Sequence, residues 1–312
     1  MKILITGGAG FIGSHLTKYF IAEGDEVVVV DNFITGDKNN LKGIINSKSL
    51  KLIEADIVEF DYRDLPTFDI VYDLASPASP AVFETLSFEI LKVNSIGLFN
   101  LLDFFIKSKS KKFVFSSTSE VYGNPSVSPQ PESYFGNVNT TGPRSVYDEG
   151  KRFAEATISA YIRKYDIDAR IVRIFNTYGP NMRRDDGRFI SNFINQAITN
   201  QPITVYGDGQ QTRSSCFISD MVDALVKTGE TEGLRGEIIN IGNPDERKVI
   251  EVAKLIKKLT NSGSNIEFKP ICEDDPKIRC PDIGKAKRIL NWNPKVSLEE
   301  GLQITINYFK NI

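Results

Sequence analysis

The opening stretch, MKILITGGAGFIGS, limits the fold more than any other part of the chain. Ile3-Leu4-Ile5-Thr6 is a short apolar run of the kind that forms a buried parallel strand. It breaks into Gly7-Gly8-Ala9-Gly10-Phe11-Ile12-Gly13, and His15 to Phe20 then reads as helix. Strand, glycine turn and helix in succession turn a loose glycine pattern into a dinucleotide loop. Gly8, Gly10 and Gly13 satisfy G-x-G-x-x-G, and Gly7, Gly10 and Gly13 the related G-x-x-G-x-x-G. The first glycines allow a turn that a Cβ would block, Gly10 admits a pyrophosphate to the backbone, and Gly13 lets the helix pack close to the strand. The free N–H groups at the positive end of the helix receive the phosphates. A second apolar strand, Glu26 to Val30, ends in Asp31, at roughly the 20-residue distance expected of the acid that binds an adenosine ribose. A carboxylate there favours a free 2′-hydroxyl and repels a 2′-phosphate, so the expected cofactor is NAD.

The rest of the chain alternates in the same way. Further strands are expected at Leu50–Asp56, Phe68–Ala75, Lys112–Ser117 and Ile167–Phe175, with helices from about 83 to 107, whole or interrupted, and from 147 to 165. This predicts an α/β fold, a Rossmann-like doubly wound parallel sheet. A smaller C-terminal α/β substrate-binding region follows, with a boundary near residues 176–177 and the segments near 207–241 packing back onto the first part. Residues 207–213 read as a polar turn and 274–279 as a loop. Ligands bind at the carboxyl ends of such strands. Asn32, Thr35 and Gly36 are expected at the adenine end, followed by Asp56 and Ile57 after the third strand. Leu74, Ala75 and Ser76 follow the fourth strand, and Tyr178 comes after the sixth. Asp56 reads equally as a helix N-cap, which does not exclude a contact with adenine.

Bulk properties narrow the chemistry. A net charge of -2 over 312 residues gives no sign of a nucleic-acid surface. No apolar run approaches the roughly 20 residues of a membrane span, and the chain enters a strand at once with no room for a signal peptide. Cys216, Cys272 and Cys280 are odd in number and lack metal-ligand spacing, which suits a reducing cytoplasm. His15 is the only histidine and reads as a helix-face residue, so histidine triads and histidine metal sites are out. Proton transfer therefore falls to Tyr, Lys, Glu, Ser, Thr or Arg.

Tyr147 and Lys151 share one helix face at i and i+4. A tyrosine near a nicotinamide can take the proton of a sugar hydroxyl as its carbon gives up hydride. A lysine one turn away is expected to lower its pKa. Thr118, at the end of the fifth strand, can hold the same oxygen. Arg213 and Arg279 offer guanidinium forks that match a diphosphate or a carboxylate, with surface salt bridges as the alternative. Lys92 could point to the cleft or be a solvated helix residue.

The segments TGGAGFIG, SSTSEVYG, YDEGK, RIFNTYGP and YGDGQQTR stand in the order seen in the extended short-chain dehydrogenases/reductases. The chain resembles the nucleotide-sugar epimerase, dehydratase and decarboxylase family along almost its whole length. That resemblance implies Thr118, Tyr147 and Lys151 as a catalytic triad acting with NAD held throughout turnover. It also implies Phe11 and Ile12 within the cofactor loop, and Lys92, Asn137 and Asn176 beside the substrate. The 4,6-dehydratases carry Asp-Glu after the threonine and the 4-epimerases typically neither carboxylate. Ser119-Glu120 here resembles the UDP-glucuronate decarboxylases, as do LASPASP, Gly136-Asn137-Val138, Pro143-Arg144-Ser145 and DDPKIR. In that branch Arg279 reaches the active site. Oxidation at C4 makes a 4-ketone β to the C6 carboxylate, so carbon dioxide leaves without a metal, and return of the hydride gives UDP-xylose. Ser119 in place of an anion can hydrogen-bond the substrate carboxylate, and Glu120 is a candidate for proton handling. The alternatives are a 4,6-dehydratase, a 4-epimerase, or a non-catalytic NAD-binding regulator. Two positions depart from the decarboxylase pattern, Asp73 where His is usual and Asn181 where Arg is usual. A homodimer is expected through helices near 90–107 and 148–165.

Overall fold

The computed structural model describes every residue except Cys272 and Glu273. Alternating apolar runs become strands whose two faces are both covered. Ile3, Ile5, Val27, Val29, Ile70 and Tyr72 belong to one core, while Leu4, Val30, Val71, Phe113 and Phe115 belong to the other. This two-sided burial is why these segments read as continuous hydrophobic runs.

The strands are β1 (Lys2–Thr6), β2 (Glu26–Asp31), β3 (Leu50–Glu54), β4 (Ile70–Asp73), β5 (Lys112–Thr118) and β6 (Ala169–Ile174). With Ile238–Ile241 they form a seven-stranded sheet, ordered Ile238–Ile241, β6, β5, β4, β1, β2, β3. Every pairing in it is parallel. The order reverses between β1 and β4, which opens a crevice at their carboxyl ends. The doubly wound fold expected of the sequence is therefore present. Helix α1 (Phe11–Ala22) and the helix Ile218–Glu230 cover one face. Helices α3 (Leu98–Lys107) and α4 (Ser145–Tyr165) cover the other, while α2 (Ser87–Lys92) packs Ile90 with Phe83 and Tyr147 in a cluster of its own.

The chain crosses back over the expected boundary at 176. Ile238–Ile241 pairs with β6, and one core runs from Ile3 and Leu16 through Met221 and Val252 to Phe309. The polar turn expected at 207–213 and the loop at 274–279 contain strand. Thr212–Ser214 pairs antiparallel with Glu246–Lys248 and parallel with Ile278–Arg279. Two- and three-residue strands carry too few positions to show a period of two, so their pairing is invisible to pattern reading. The helix expected from 83 to 107, whole or interrupted, is interrupted. A 3₁₀ turn at Pro80–Val82 precedes α2, and a π turn at Val93–Gly97 separates α2 from α3. Within that turn the Asn94 amide donates to the Ile90 carbonyl at 2.8 Å and to Ser76 Oγ at 3.1 Å. The distortion therefore sits at the cleft wall, where π bulges often occur.

Candidate active site

The glycine loop is shaped by close backbone contact. Gly7 sits at φ 69°, donates its N–H to the Val30 carbonyl at 2.8 Å, and would bring a Cβ to 2.7 Å from the Leu74 oxygen. A Cβ on Gly13 would run into the Gly7 carbonyl, so this glycine is what lets α1 lie on the turn. A Cβ on Gly10 would meet only the Gly7 oxygen, at 3.2 Å, which leaves that side of the loop open to a ligand. Phe11 and Ile12 open α1 with their side chains partly buried against the core.

Asp31 ends β2 with its carboxylate turned back to this loop, accepting the N–H groups of Ala9 and Phe33 at 2.9 Å each. Burial raises its pKa, and those N–H groups oppose the rise. Asn32 donates to Asp56 at 3.0 Å, and Asp56 also accepts the Val58 N–H at 2.9 Å. Asp56 thus closes a turn two residues long and caps no helix. Gly7, Gly10, Asp31, Asn32, Thr35, Gly36, Asp56, Ile57, Leu74, Ala75 and Ser76 line one cleft. An open glycine face with a buried acid at its rim fits the adenosine half of NAD. Tyr178 does not join them. Its ring packs edge-on to Phe217, 5.6 Å between centroids, and its hydroxyl donates to the Leu298 carbonyl at 3.2 Å, inside the core.

The chemical half lies at the end of β5. Tyr147, in the first turn of α4, stacks on Phe83 at 5.0 Å between centroids, with the Thr118 hydroxyl near its phenol. Burial pushes its phenol up to about 12, opposed by the Thr118 hydroxyl and the Arg188 charge. The expected depression by Lys151 is not seen. The lysine leans onto β5, donating to the Ser116 carbonyl at 2.8 Å and lying over the Phe115 ring at 4.6 Å. Sharing a helix face brings the two stems together, while the ammonium is drawn to the strand. Burial lowers Lys151 to about 8, against the charges of Asp73 and Glu155.

Beside Tyr147 is a buried charge cluster. Arg279, 1% exposed, donates to the Ser119 carbonyl at 2.7 Å and to Glu120 at 3.0 Å. Arg144 donates to the same Glu120 oxygen at 2.7 Å. Burial works to raise the Glu120 carboxyl, but Arg279 and Arg144 overcome this and hold it at about 2. Arg213 pairs in register with Arg279 on the neighbouring strand, and its own guanidinium is bound to Asp275 at 2.9 Å. Asp148 is buried with one oxygen unpartnered, and burial together with Glu120 raises it to about 7.

The remaining expected substrate residues are less committed to the cleft. Lys92 is exposed at the end of α2, in keeping with the solvated-helix alternative. The Asn137 amide donates to the Asn124 carbonyl at 3.1 Å, which fastens the loop after Gly123. Asn176 accepts the Cys216 N–H through its carbonyl at 2.8 Å, and its side chain is half-buried. Of the two departures, Asn181 takes φ 68° and donates to Ser14 Oγ at 3.0 Å, behind the glycine-loop helix. Asparagine tolerates that left-handed conformation better than most residues. His15 lies beside it, 2.9 Å from the Pro180 carbonyl.

Arg144, Asp148 and Arg188 were not among the residues expected to act. Arg188 bonds the Ala78 carbonyl at 2.7 Å and Asp186 at 2.9 Å, tying the loop after β4 to the C-terminal region. Arg144 lies in the Pro143-Arg144-Ser145 segment and Asp148 in YDEGK, but neither motif says which of its residues acts.

Residues 3–242 match the model of the NAD dependent epimerase/dehydratase family. The chain is 48% identical over 309 residues to UDP-glucuronic acid decarboxylase 1 of Xenopus tropicalis, covering 99% of this chain and 72% of that one. It is 49% identical over 311 residues to UDP-glucuronic acid decarboxylase 3 of Arabidopsis thaliana, covering 99% and 89%. Among solved structures, UDP-glucuronic acid 4-epimerase from Bacillus cereus, in complex with UDP-glucuronic acid and NAD, superposes with a TM-score of 0.91. It is 30% identical, and the match covers 100% of this chain and 99% of that one. The dTDP-glucose 4,6-dehydratase of Streptomyces venezuelae, with NAD bound, gives a TM-score of 0.91 at 26% identity, covering 100% and 97%. The match spans well over half of the sequence, and the chain belongs to the NAD dependent epimerase/dehydratase family.

Proposed function

We infer that this protein decarboxylates UDP-glucuronate to UDP-xylose with NAD as its cofactor. The observation that carries the reading is the pairing of Tyr147 and Thr118 beside the Ser119–Glu120–Arg279 cluster. The similarity to curated decarboxylases over nearly the whole chain supports it. Thr118 holds the C4 hydroxyl and Tyr147 takes its proton. When bound, NAD supplies a hydride acceptor at C4 and returns the hydride afterwards. Asp31, Gly7 and Gly10 would hold its adenosine and phosphates, and Lys151 its nicotinamide end. Once C4 is a ketone, the C6 carboxylate is β to it and carbon dioxide leaves with its electrons delocalised into an enolate.

Arg279 has used two of its five N–H donors on Ser119 and Glu120, so the others remain for the substrate. Ser119 adds no negative charge where the C6 carboxylate must sit, whereas an aspartate there would repel it. Asp148, raised to about 7 and so partly protonated at neutral pH, can supply the proton that reaches C5, whereas Glu120, held ionised, has none to give. The experiment is incubation with UDP-glucuronate and NAD, followed by mass spectrometry. UDP-xylose and carbon dioxide are the expected products. A product of unchanged mass would mean a 4-epimerase and overturn the reading.

The outer faces of α2, α3 and α4 expose Phe88 (73%), Leu91, Ile96, Phe99 and Phe153. An apolar patch on adjoining helices supports a homodimer through this surface, and a monomeric mass in light scattering would reject it. No described helix is long and apolar enough to cross a membrane. Cys216 and Cys280 are free buried thiols, which favours a cytoplasmic site of action.

A further inference from the structure

Lys151 is 2% exposed, and a buried ammonium needs a counter-charge to stay ionised. Two carboxylates face it, Asp73 from β4 and Glu155 from its own helix. Glu155 is already neutralised. Arg173 binds it twice, at 2.9 and 2.7 Å, and Ser117 Oγ donates to it at 2.5 Å. Asp73 has only neutral partners among the described residues, the Thr6 hydroxyl at 2.7 Å and the Ala75 N–H at 3.4 Å. The only other titratable group resolved as facing it is the Tyr62 phenol, itself kept neutral by burial.

The backbone brings Asp73 and Lys151 to neighbouring positions at the sheet edge. Asp73 pairs in register with Phe115, and Ser116 Oγ donates to the Asp73 carbonyl at 2.8 Å. The Ser116 carbonyl, in turn, receives the Lys151 ammonium. Asp73 thus ends the strand next to the one on which Lys151 rests, and its carboxylate is fixed by Thr6 from the strand beyond.

We propose that Asp73 is the counter-ion of Lys151, a positioning residue that keeps the ammonium charged at the carboxyl edge of β4 and β5. The functional part of this rests on Lys151 serving the proposed reaction. Burial raises the Asp73 carboxyl, while the Lys151 charge and the Thr6 and Ala75 hydrogen bonds lower it. In its ionised form it extends the charged form of Lys151 to higher pH, so this residue sets the working pH range and leaves the reaction unchanged.

The test is NMR titration of the Lys151 ε-carbon in the full-length NAD-free protein, assigned with Lys151→Met, for wild type, Asp73→Asn and Asp73→Glu. The midpoint should fall by at least about one pH unit in Asp73→Asn, since an opposite charge nearby shifts a pKa by about one to three. Asp73→Glu should restore it. The alkaline limb of kcat/KM should move with the midpoint, leaving Asp73→Asn roughly tenfold less active than wild type at pH 9. An unmoved midpoint, even with lowered kcat, overturns the proposal. Asp73→Ser gives the same readout should the Asn variant fail to fold. Absence of turnover with UDP-glucuronate in wild type would refute the functional reading while the NMR midpoint still decides the charge couple.

Discussion

Replacing Glu120 by glutamine removes the carboxylate on which Arg144 and Arg279 converge. The Glu120 carboxyl lies at about 2 in the folded protein against an ordinary value of 4.5. At about 1.4 kcal/mol per pH unit this corresponds to roughly 3 kcal/mol of stability at neutral pH. Breaking a buried pair from one side costs about 3–5 kcal/mol, and the 15% exposure left to the Glu120 side chain favours the lower end. For a chain of this length, about 3 kcal/mol lowers Tm by roughly 4–5 °C. The pH dependence has a definite sign. Because the folded pKa is depressed, the stabilisation is complete above the unfolded value near 4.5 and is lost as pH falls through about 2. Calorimetry of wild type and Glu120→Gln without ligand should therefore show its widest gap near pH 5–6, narrowing below pH 4 as Glu120 protonates and again above pH 7, where the variant relieves the repulsion that raises Asp148. A gap under about 1 °C at pH 5.5 would refute the reasoning, since the guanidiniums would then be satisfied without Glu120.

Other outcomes follow from the same geometry. Tyr147→Phe should lower kcat by about 10²- to 10⁴-fold while NAD affinity, read by calorimetric titration, changes little. Gly13→Ala drives a Cβ into the Gly7 carbonyl, so it should cost about 1–3 kcal/mol in urea denaturation and abolish NAD binding. Asp148→Asn should stabilise the protein, more at pH 8 than at pH 5. The folded carboxyl ionises only near 7 while the unfolded one ionises near 4, so the penalty it removes grows between those values. Equal gains at both pH values would show that Asp148 carries no such penalty.

How far the sequence could be read depended on whether each interaction leaves a pattern along the chain. The glycine loop and Asp31 were legible because strand, turn and helix are local, and because a Cβ at Gly7 or Gly13 is forbidden by backbone a few residues away or on the adjoining strand end. Thr118 and Tyr147 were legible from a strand end and a helix start that the topology must bring to one edge of the sheet. The side-chain directions were not. Tyr178 reads as a strand-end aromatic at the cleft, yet the space beside Gly301 and the Leu298 carbonyl draw it into the core. Lys151 was expected to face Tyr147, but the Ser116 carbonyl on β5 and the Phe115 ring hold it elsewhere. The charge cluster was hidden for a different reason. Glu120, Arg144, Arg213 and Arg279 come from widely separated segments, joined partly through a three-strand sheet whose strands are too short to show periodicity. Asp73 belongs to both groups, visible as a departure and unreadable in its consequence. Only the register of β4 against β5, with Glu155 already bound by Arg173, leaves it as the charge that Lys151 faces without competition.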